Sequence, residues 1–373
     1  MYEQFQEVQN DMLYIILYSI VTAMNAMASI YLLLRRGNAF AADITPPLRL
    51  RRWTAAFFAV LAIGHLWYLP ANVLDSREAI MVSMFVGGLL DCILVLPLVF
   101  IVMLCMLQDR RRPLWPIGVL VAPLVVGMIV CTITRNETYF PWVRGYFLLA
   151  STGFTIYMVG AVRQYGRWLR DNFADLEHKE VWQSLLALVV MTIMFGYYVE
   201  GFGGMVYEYI IQMFGLFLIF FLLWRVETLS DLSISQTQDL PADETAKEEI
   251  ENHTLSQTVN DSISTLLQQH CVDTQLYLQH DLTVVQLAKA IGTNRFYLSQ
   301  YFSNQGTTYN TYINDLRVNH FINLYREAVS AKRIFTAQQL AHESGYQSYS
   351  TFSLAFKQRT GQSVTAWMRN SAL

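Results

Sequence analysis

Asp91 and His65 stand inside long apolar stretches of this 373-residue chain, and Asn25 stands inside a third. At about 1.5 Å per helical residue, each lies near the middle of its stretch. If those stretches cross a bilayer, an ionisable group at that depth is costly and by default marks a functional site. Asp91 with His65 would then line a polar cavity that binds a ligand or changes protonation and so biases the helix arrangement. The alternative is that the three residues only join helices by hydrogen bonds.

A second kind of chemistry is written twice near the C-terminus. Thr283-x-x-Gln286-Leu287-Ala288-x-x-x-Gly292 recurs as Thr336-x-x-Gln339-Leu340-Ala341-x-x-x-Gly345. A threonine with a glutamine three residues on is a capping box that starts a helix. The glycine supplies the left-handed stop, and the alanine lets a second helix cross closely. That second helix starts at about Asn294 with Leu298 and Phe302 one turn apart, and at about Ser348 with Phe352 and Phe356 likewise. Gly306-x-Thr308-x-x-x-Tyr312 is matched by Gly361-x-Ser363-x-x-x-Trp367, so the units repeat to their ends. Tyr309 to Ala328 reads as one longer helix between them, with Leu316, Phe321, Ile322 and Leu324 to pack. Two helix-turn-helix units held rigidly can place their second helices in successive major-groove segments, about 34 Å apart.

Enzyme chemistry has no such signature. The chain lacks H-E-x-x-H, a paired histidine cluster and a P-loop. Its four cysteines (Cys92, Cys105, Cys131, Cys271) show no C-x-x-C spacing, which leaves them as small apolar side chains and predicts no metal and no cofactor. The expectation is a protein that is not an enzyme.

The elements around these residues follow from composition. Hydrophobic residues make up 54% of the chain and charged residues 15%, an unusual balance for a soluble protein. Apolar runs at Met12–Leu34, Trp53–Leu74, Ala79–Leu107, Leu114–Thr134, Tyr146–Val162, Gln183–Val199 and Met205–Trp224 each approach the ~20 residues that span a bilayer. The first is flanked by Glu3, Glu7 and Asp11, which suits a retained span and not a signal peptide. Loops after the odd-numbered runs hold Arg35, Arg36, Arg49, Arg51, Arg52, then Arg110, Arg111, Arg112, then Arg163, Arg167, Arg170, Lys179, and finally Arg225. The other side has Arg77, Arg135 and Arg144. The positive-inside rule puts the N-terminus outside and the C-terminus in the cytoplasm. Buried helices of a soluble core would not predict that alternation.

Past Trp224 the sequence turns polar, with eight acidic residues against Lys247 between Val226 and Glu251. It reads as a solvated tether. A helix around Lys247 to Gln269 would carry an apolar stripe of Leu255, Val259, Ile263 and Leu266. The stripe either packs on the next domain or pairs with a second copy. From Leu282 on, nine Lys and Arg face three acidic residues, a surplus suited to phosphate contact and to salt-sensitive binding.

Residues Leu282 to Arg369 resemble the DNA-binding domain of the AraC/XylS family of bacterial transcription regulators, from Leu282-Thr283 through Gly361-Gln362-Ser363 to Trp367-Met368-Arg369. The resemblance covers about a quarter of the chain. It implies a seven-helix domain in which exposed residues of each second helix contact bases: Arg295, Phe296, Ser299 and Gln300 in the first unit, Tyr349, Ser350, Ser353 and Leu354 in the second, with Lys357 beside them. Val364 replaces the proline common in the family's closing pattern, and Leu354 stands where a polar or basic residue is frequent. The second unit therefore either reads less of the bases, touches a thymine methyl, or mainly holds the backbone.

The expected fold is all-α: a seven-transmembrane-helix bundle over 1–225, an acidic linker over 226–254, and an AraC-type double helix-turn-helix domain over 255–373. The expected protein is a one-component transcription regulator in the bacterial inner membrane. Its partners would be promoter DNA, the lipid bilayer, a second copy in a homodimer, and a small-molecule or periplasmic signal. A transporter or membrane enzyme with a fused autoregulatory DNA-binding domain is the alternative.

Overall fold

The computed structural model describes residues 11–35, 38–42, 44–67, 76–135, 137–199, 204–232 and 257–371. Their regular elements are helices, and among the described residues the sole extended pairing is an isolated antiparallel bridge between Phe173 and Thr283. They form two compact units. One holds the chain to Tyr165 plus Val181 onward, and the other holds Gly166–Glu180 with the C-terminal part.

Each of the seven apolar runs carries helix in the first unit: α1 (Met12–Leu34), α2 (Leu48–Trp67), α3 (Arg77–Leu90) continuing through a π turn at Asp91–Val95 into α4 (Leu96–Cys105), α5 (Trp115–Thr134), α6 (Phe140–Asn172), α7 (Trp182–Val199) and α8 (Gly204–Thr228). Five of these are long and apolar enough to cross a membrane by length and composition: Met12–Leu34, Glu78–Cys105, Trp115–Thr134, Phe140–Asn172 and Gly204–Thr228. Helix α2 begins five residues before its expected run, which brings Arg49, Arg51 and Arg52 into helix and lowers its apolar character.

The bundle interior is built from small contacts. Ser29 donates to the Ala55 carbonyl at 2.9 Å, joining α1 to α2, and Thr155 and Thr192 share a hydrogen bond of 3.0 Å between α6 and α7. Phe100 and Phe154 stack 3.9 Å apart. Large apolar side chains such as Met27, Ile133, Trp142, Ile156 and Val206 point outward. An apolar exterior with hydrogen bonds kept inside is how a helical bundle meets hydrocarbon.

Two domain boundaries differ from the expected ones. The acidic linker does not begin at Val226: α8 runs on to Thr228, and Val226, Leu229 and Leu232 are buried. Gln108 pins this stretch, donating to the Ser230 carbonyl at 2.9 Å and accepting the Leu232 N–H at 2.8 Å. Apolar residues at 226, 229 and 232 outweigh the acidic ones between them. The remainder, 233–254, lies outside the described residues. The DNA-binding unit, in turn, is not confined to 255–373, because Gly166–Glu180 clusters with it. The fifth run was expected to end at Val162, but buried Ala161, Tyr165, Leu169 and Phe173 recur every four residues and carry the helix on to Asn172.

The second unit contains seven α-helices after the tether: α9 (Gln257–Leu267), α10 (Val284–Ala290), α11 (Arg295–Asn304), α12 (Tyr309–Ser330), α13 (Ala337–Glu343), α14 (Tyr349–Thr360) and α15 (Val364–Ser371). Helix α9 runs into a π turn at Gln268–Val272 and buries Ile263, Leu267 and Cys271 in the core of the first helix-turn-helix unit. Ile263 and Leu266 of the stripe thus pack on their own domain. Leu255 lies outside the described residues. A second core gathers Val318, Phe321, Tyr325, Leu340, Phe352, Phe356 and Val364. Helix α12 feeds both cores, with Tyr309 and Ile313 in the first and Val318, Phe321 and Tyr325 in the second. Leu316, Ile322 and Leu324, expected to share this packing, are only partly buried beside it.

Candidate nucleic-acid interface

The two repeats fold as their caps dictate. Thr283 Oγ1 accepts the Gln286 N–H at 3.2 Å while Gln286 Oε1 accepts the Thr283 N–H at 2.9 Å. The Thr336–Gln339 pair does the same at 3.1 and 2.9 Å. Both ends stop on glycine at positive φ, +73° at Gly292 and +88° at Gly345. The residue after each glycine returns a hydrogen bond five residues back, Thr293 to Ala288 at 2.9 Å and Tyr346 to Ala341 at 3.2 Å, closing a Schellman turn.

Asn294 and Ser348 then cap the second helices, accepting the N–H groups of Tyr297 at 3.0 Å and Thr351 at 3.3 Å. Leu298 and Phe302 bury one face of α11, and Phe352 and Phe356 one face of α14. What remains outward is the set assigned to base contact. Arg295 and Phe296 are exposed on α11, with Ser299 and Gln300 half-buried beside them. Tyr349, Ser350, Leu354 and Lys357 are exposed on α14, and Ser353 is half-buried. Gln300 Oε1 is buried without a hydrogen-bond partner among the described residues. Leu354, 61% exposed, is an apolar tip on a polar face, of the kind that meets a thymine methyl.

Not all nine basic residues serve that surface. Arg317 is buried: Nε donates to the Tyr277 carbonyl at 2.7 Å, and Nη2 donates to Gln279 at 2.6 Å and to His280 at 3.1 Å. Arg359 is bound to Asp315 at 2.5 Å and Arg333 to Glu343 at 2.8 Å. The cationic surface is smaller than the count of charges promised. Arg317 was missed as a structural residue because its neighbours in space come from residues 277–280 and from Tyr346, not from its own helix.

In the first unit, His65 Nδ1 lies 2.8 Å from the Leu61 carbonyl, and the Tyr18 hydroxyl donates to the His65 carbonyl at 2.7 Å. Asp91 opens the π turn, and its Oδ1 lies 4.0 Å from where a Cβ on Gly64 would stand. The structure therefore brings Asp91 to the residue next to His65. Asn25 is not joined to them by a hydrogen bond of its own, for its amide donates to the Val21 carbonyl in the same helix at 3.0 Å. Tyr14, whose ring lies 5.9 Å from that of Tyr18, donates to Glu208 at 3.4 Å, Gln212 reaches the Tyr14 hydroxyl at 3.4 Å, and Tyr209 donates to Asp11 at 2.9 Å. Among the described residues no group of three His, Cys, Asp or Glu is arranged to hold a metal ion.

Comparison with known proteins agrees with the geometry. Residues 287–370 match the family described as a helix-turn-helix domain, which supports a DNA-binding domain of AraC type over these residues. No curated protein and no solved structure matches the chain.

Proposed function

We propose that this chain is a membrane-bound, one-component transcription regulator in which seven helices cross the bacterial inner membrane and a cytoplasmic double helix-turn-helix domain binds promoter DNA. The reading is carried by one observation: two helix-turn-helix units with the same caps, the same glycine stop and the same buried pair, held by the single helix α12. A lone unit is a common helical hairpin; a rigid duplicate serves two grooves.

The membrane part of the proposal rests on the apolar helices and on thirteen Lys and Arg in or flanking the segments after the odd-numbered runs, against three on the other side. That distribution supports a C-terminal domain on the cytoplasmic side, where the DNA is. Asp91, beside His65 at a π turn, is the proposed sensing centre, since π turns recur at functional sites. Promoter DNA, lipid and a homodimer are the proposed partners, and the chain performs no catalysis.

Mapping bound DNA across the genome in living cells, with the native spans or with an unrelated anchor in their place, tests both halves. Discrete sites occupied in a signal-dependent way are expected with the native spans, and constitutive occupancy with the substitute. An absence of discrete sites overturns the DNA-binding reading, and unchanged regulation with the substitute overturns the sensing role.

A further inference from the structure

The loop between α6 and α7 belongs to the DNA-binding unit, and its contacts there are specific. Phe173 forms the antiparallel bridge with Thr283, and the Ala174 N–H donates to the Leu282 carbonyl at 3.4 Å. Asn310 Nδ2 donates to the carbonyls of Phe173 at 3.1 Å and Ala174 at 2.6 Å, and Asn314 Nδ2 reaches the Ala174 carbonyl at 3.2 Å. These asparagines lie one turn apart on α12, the helix that separates the two DNA-reading units. Phe173, Ala174 and Asp175 are buried. An extended segment with its carbonyls satisfied by two amide side chains is how a peptide is seated in a groove.

The seat delivers negative charge to both reading helices. Glu177 Oε2 accepts the hydroxyl of Thr351, in the first turn of α14, at 2.9 Å. Asp171 lies close enough to Arg295, the first residue of α11, to feel its charge. From Asp171 to Glu177 there are three carboxylates and no basic residue. The N-terminal turns of reading helices are where DNA brings its base edges and phosphates. A carboxylate fixed there repels the phosphates as a like charge.

We propose that residues 171–177 are an intramolecular acidic strap whose docking on α12 competes with DNA, so that its release switches the domain on. The strap is continuous with α6, which ends at Asn172, and is followed within ten residues by α7 at Trp182. A shift of either helix along its axis pulls on the strap directly, which gives the membrane unit a lever on DNA binding separate from the acidic tether. A ligand or helix movement can shift this equilibrium only by its differential effect on the docked and released states. The inference rests on the DNA-binding reading of α11 and α14.

The test uses the full chain in lipid nanodiscs and a pool of random-sequence duplex DNA, from which the retained duplexes are taken for affinity measurement. Glu177→Gln removes one repelling charge without changing shape, and the pair Asn310→Ala with Asn314→Ala unseats the strap without touching a charge. Glu180→Gln makes the same charge change outside these contacts and serves as the control. Both release variants are expected to bind DNA about fivefold to tenfold more tightly, with the control within about twofold of the parent chain. Hydrogen exchange at Ala174 should accelerate in the asparagine pair. If that variant loses protection throughout α12 it has misfolded, and Glu177→Gln decides alone. Equal or weaker binding with parent-chain binding intact overturns the strap and leaves the DNA-binding reading standing. No DNA retained by any form overturns both.

Discussion

The guanidinium of Arg317 lies 5.5 Å from the centre of the Tyr346 ring while donating to the backbone carbonyls of Tyr277 and Gln279. One side chain of α12 thus ties the turn before the first reading unit to the turn inside the second. Its charge is spent on carbonyls and on a ring face, inside the protein, and it fixes how the two units stand on their common helix.

Arg317→Met should therefore cost the C-terminal unit about 3 kcal/mol, since it removes the buried donor of the Tyr277 carbonyl and one donor each from the carbonyls of Gln279 and His280. Arg317→Lys should recover only part of this, because an ammonium lacks the planar fork that serves Nε and Nη2 at once. Unfolding of the solubilised chain followed by hydrogen exchange in α12 measures both, and equal stability of parent and Met variant would contradict the role.

Gly345 is the tightest backbone position in the unit. At φ +88° an added Cβ would sit 2.8 Å from Leu278 Cα and 2.9 Å from its carbonyl oxygen, whereas at Gly306, φ +66°, it would meet open space. Gly306→Ala should cost about 1 kcal/mol from the left-handed conformation alone. Gly345→Ala adds a backbone clash and should cost at least twice as much. Comparing their denaturation midpoints separates the two effects.

On the reading face, Lys357→Ala should weaken binding to all duplexes alike and lower the salt slope by about one. Gln300→Ala should instead relax sequence preference at one position, at about 1–3 kcal/mol for the favoured base. Titrations against selected duplexes at several salt concentrations distinguish a phosphate contact from a base contact.

His320 should make the unit acid-sensitive. Burial lowers its pKa from 6.5, against weaker opposing effects of Glu327 and Glu343, and Tyr277 Oη lies 3.2 Å from Nδ1. The folded state favours the neutral ring, so stability is complete above pH 6.5 and declines as pH falls through 6.5 toward the lowered folded value. His320→Gln should flatten that limb of the stability curve, as thermal unfolding across this pH range would record.

In the first unit, the proposed sensor, Asp91→Asn keeps the size of the side chain and removes its charge. It should abolish signal-dependent output from target promoters while leaving protein level and DNA affinity unchanged. Normal regulation at normal abundance would make Asp91 a helix-joining residue only.

Periodicity and capping are local, and so the seven apolar helices, both capping boxes, the glycine stops and the buried pairs Leu298–Phe302 and Phe352–Phe356 were legible from spacing alone. Net charge was legible only as a count: Arg317, Arg333 and Arg359 were tallied as surface, and their carbonyl and carboxylate partners lie between 10 and 44 residues away. The strap was invisible for the same reason. No local pattern marks Asp171, Asp175 and Glu177, and the amides that seat the segment, Asn310 and Asn314 on α12, lie about 136 residues further on.

The sequence by itself determined which segments are apolar helices, how the arginines are distributed between them, and that a helix-turn-helix unit is present twice, because hydropathy, charge and capping act over a few neighbouring residues. Only the tertiary structure decided where the units end, which arginine is core, and that a loop bridging two apolar helices is seated on the DNA-reading domain. Those outcomes depend on hydrogen bonds between groups distant in sequence, and no local pattern specifies them.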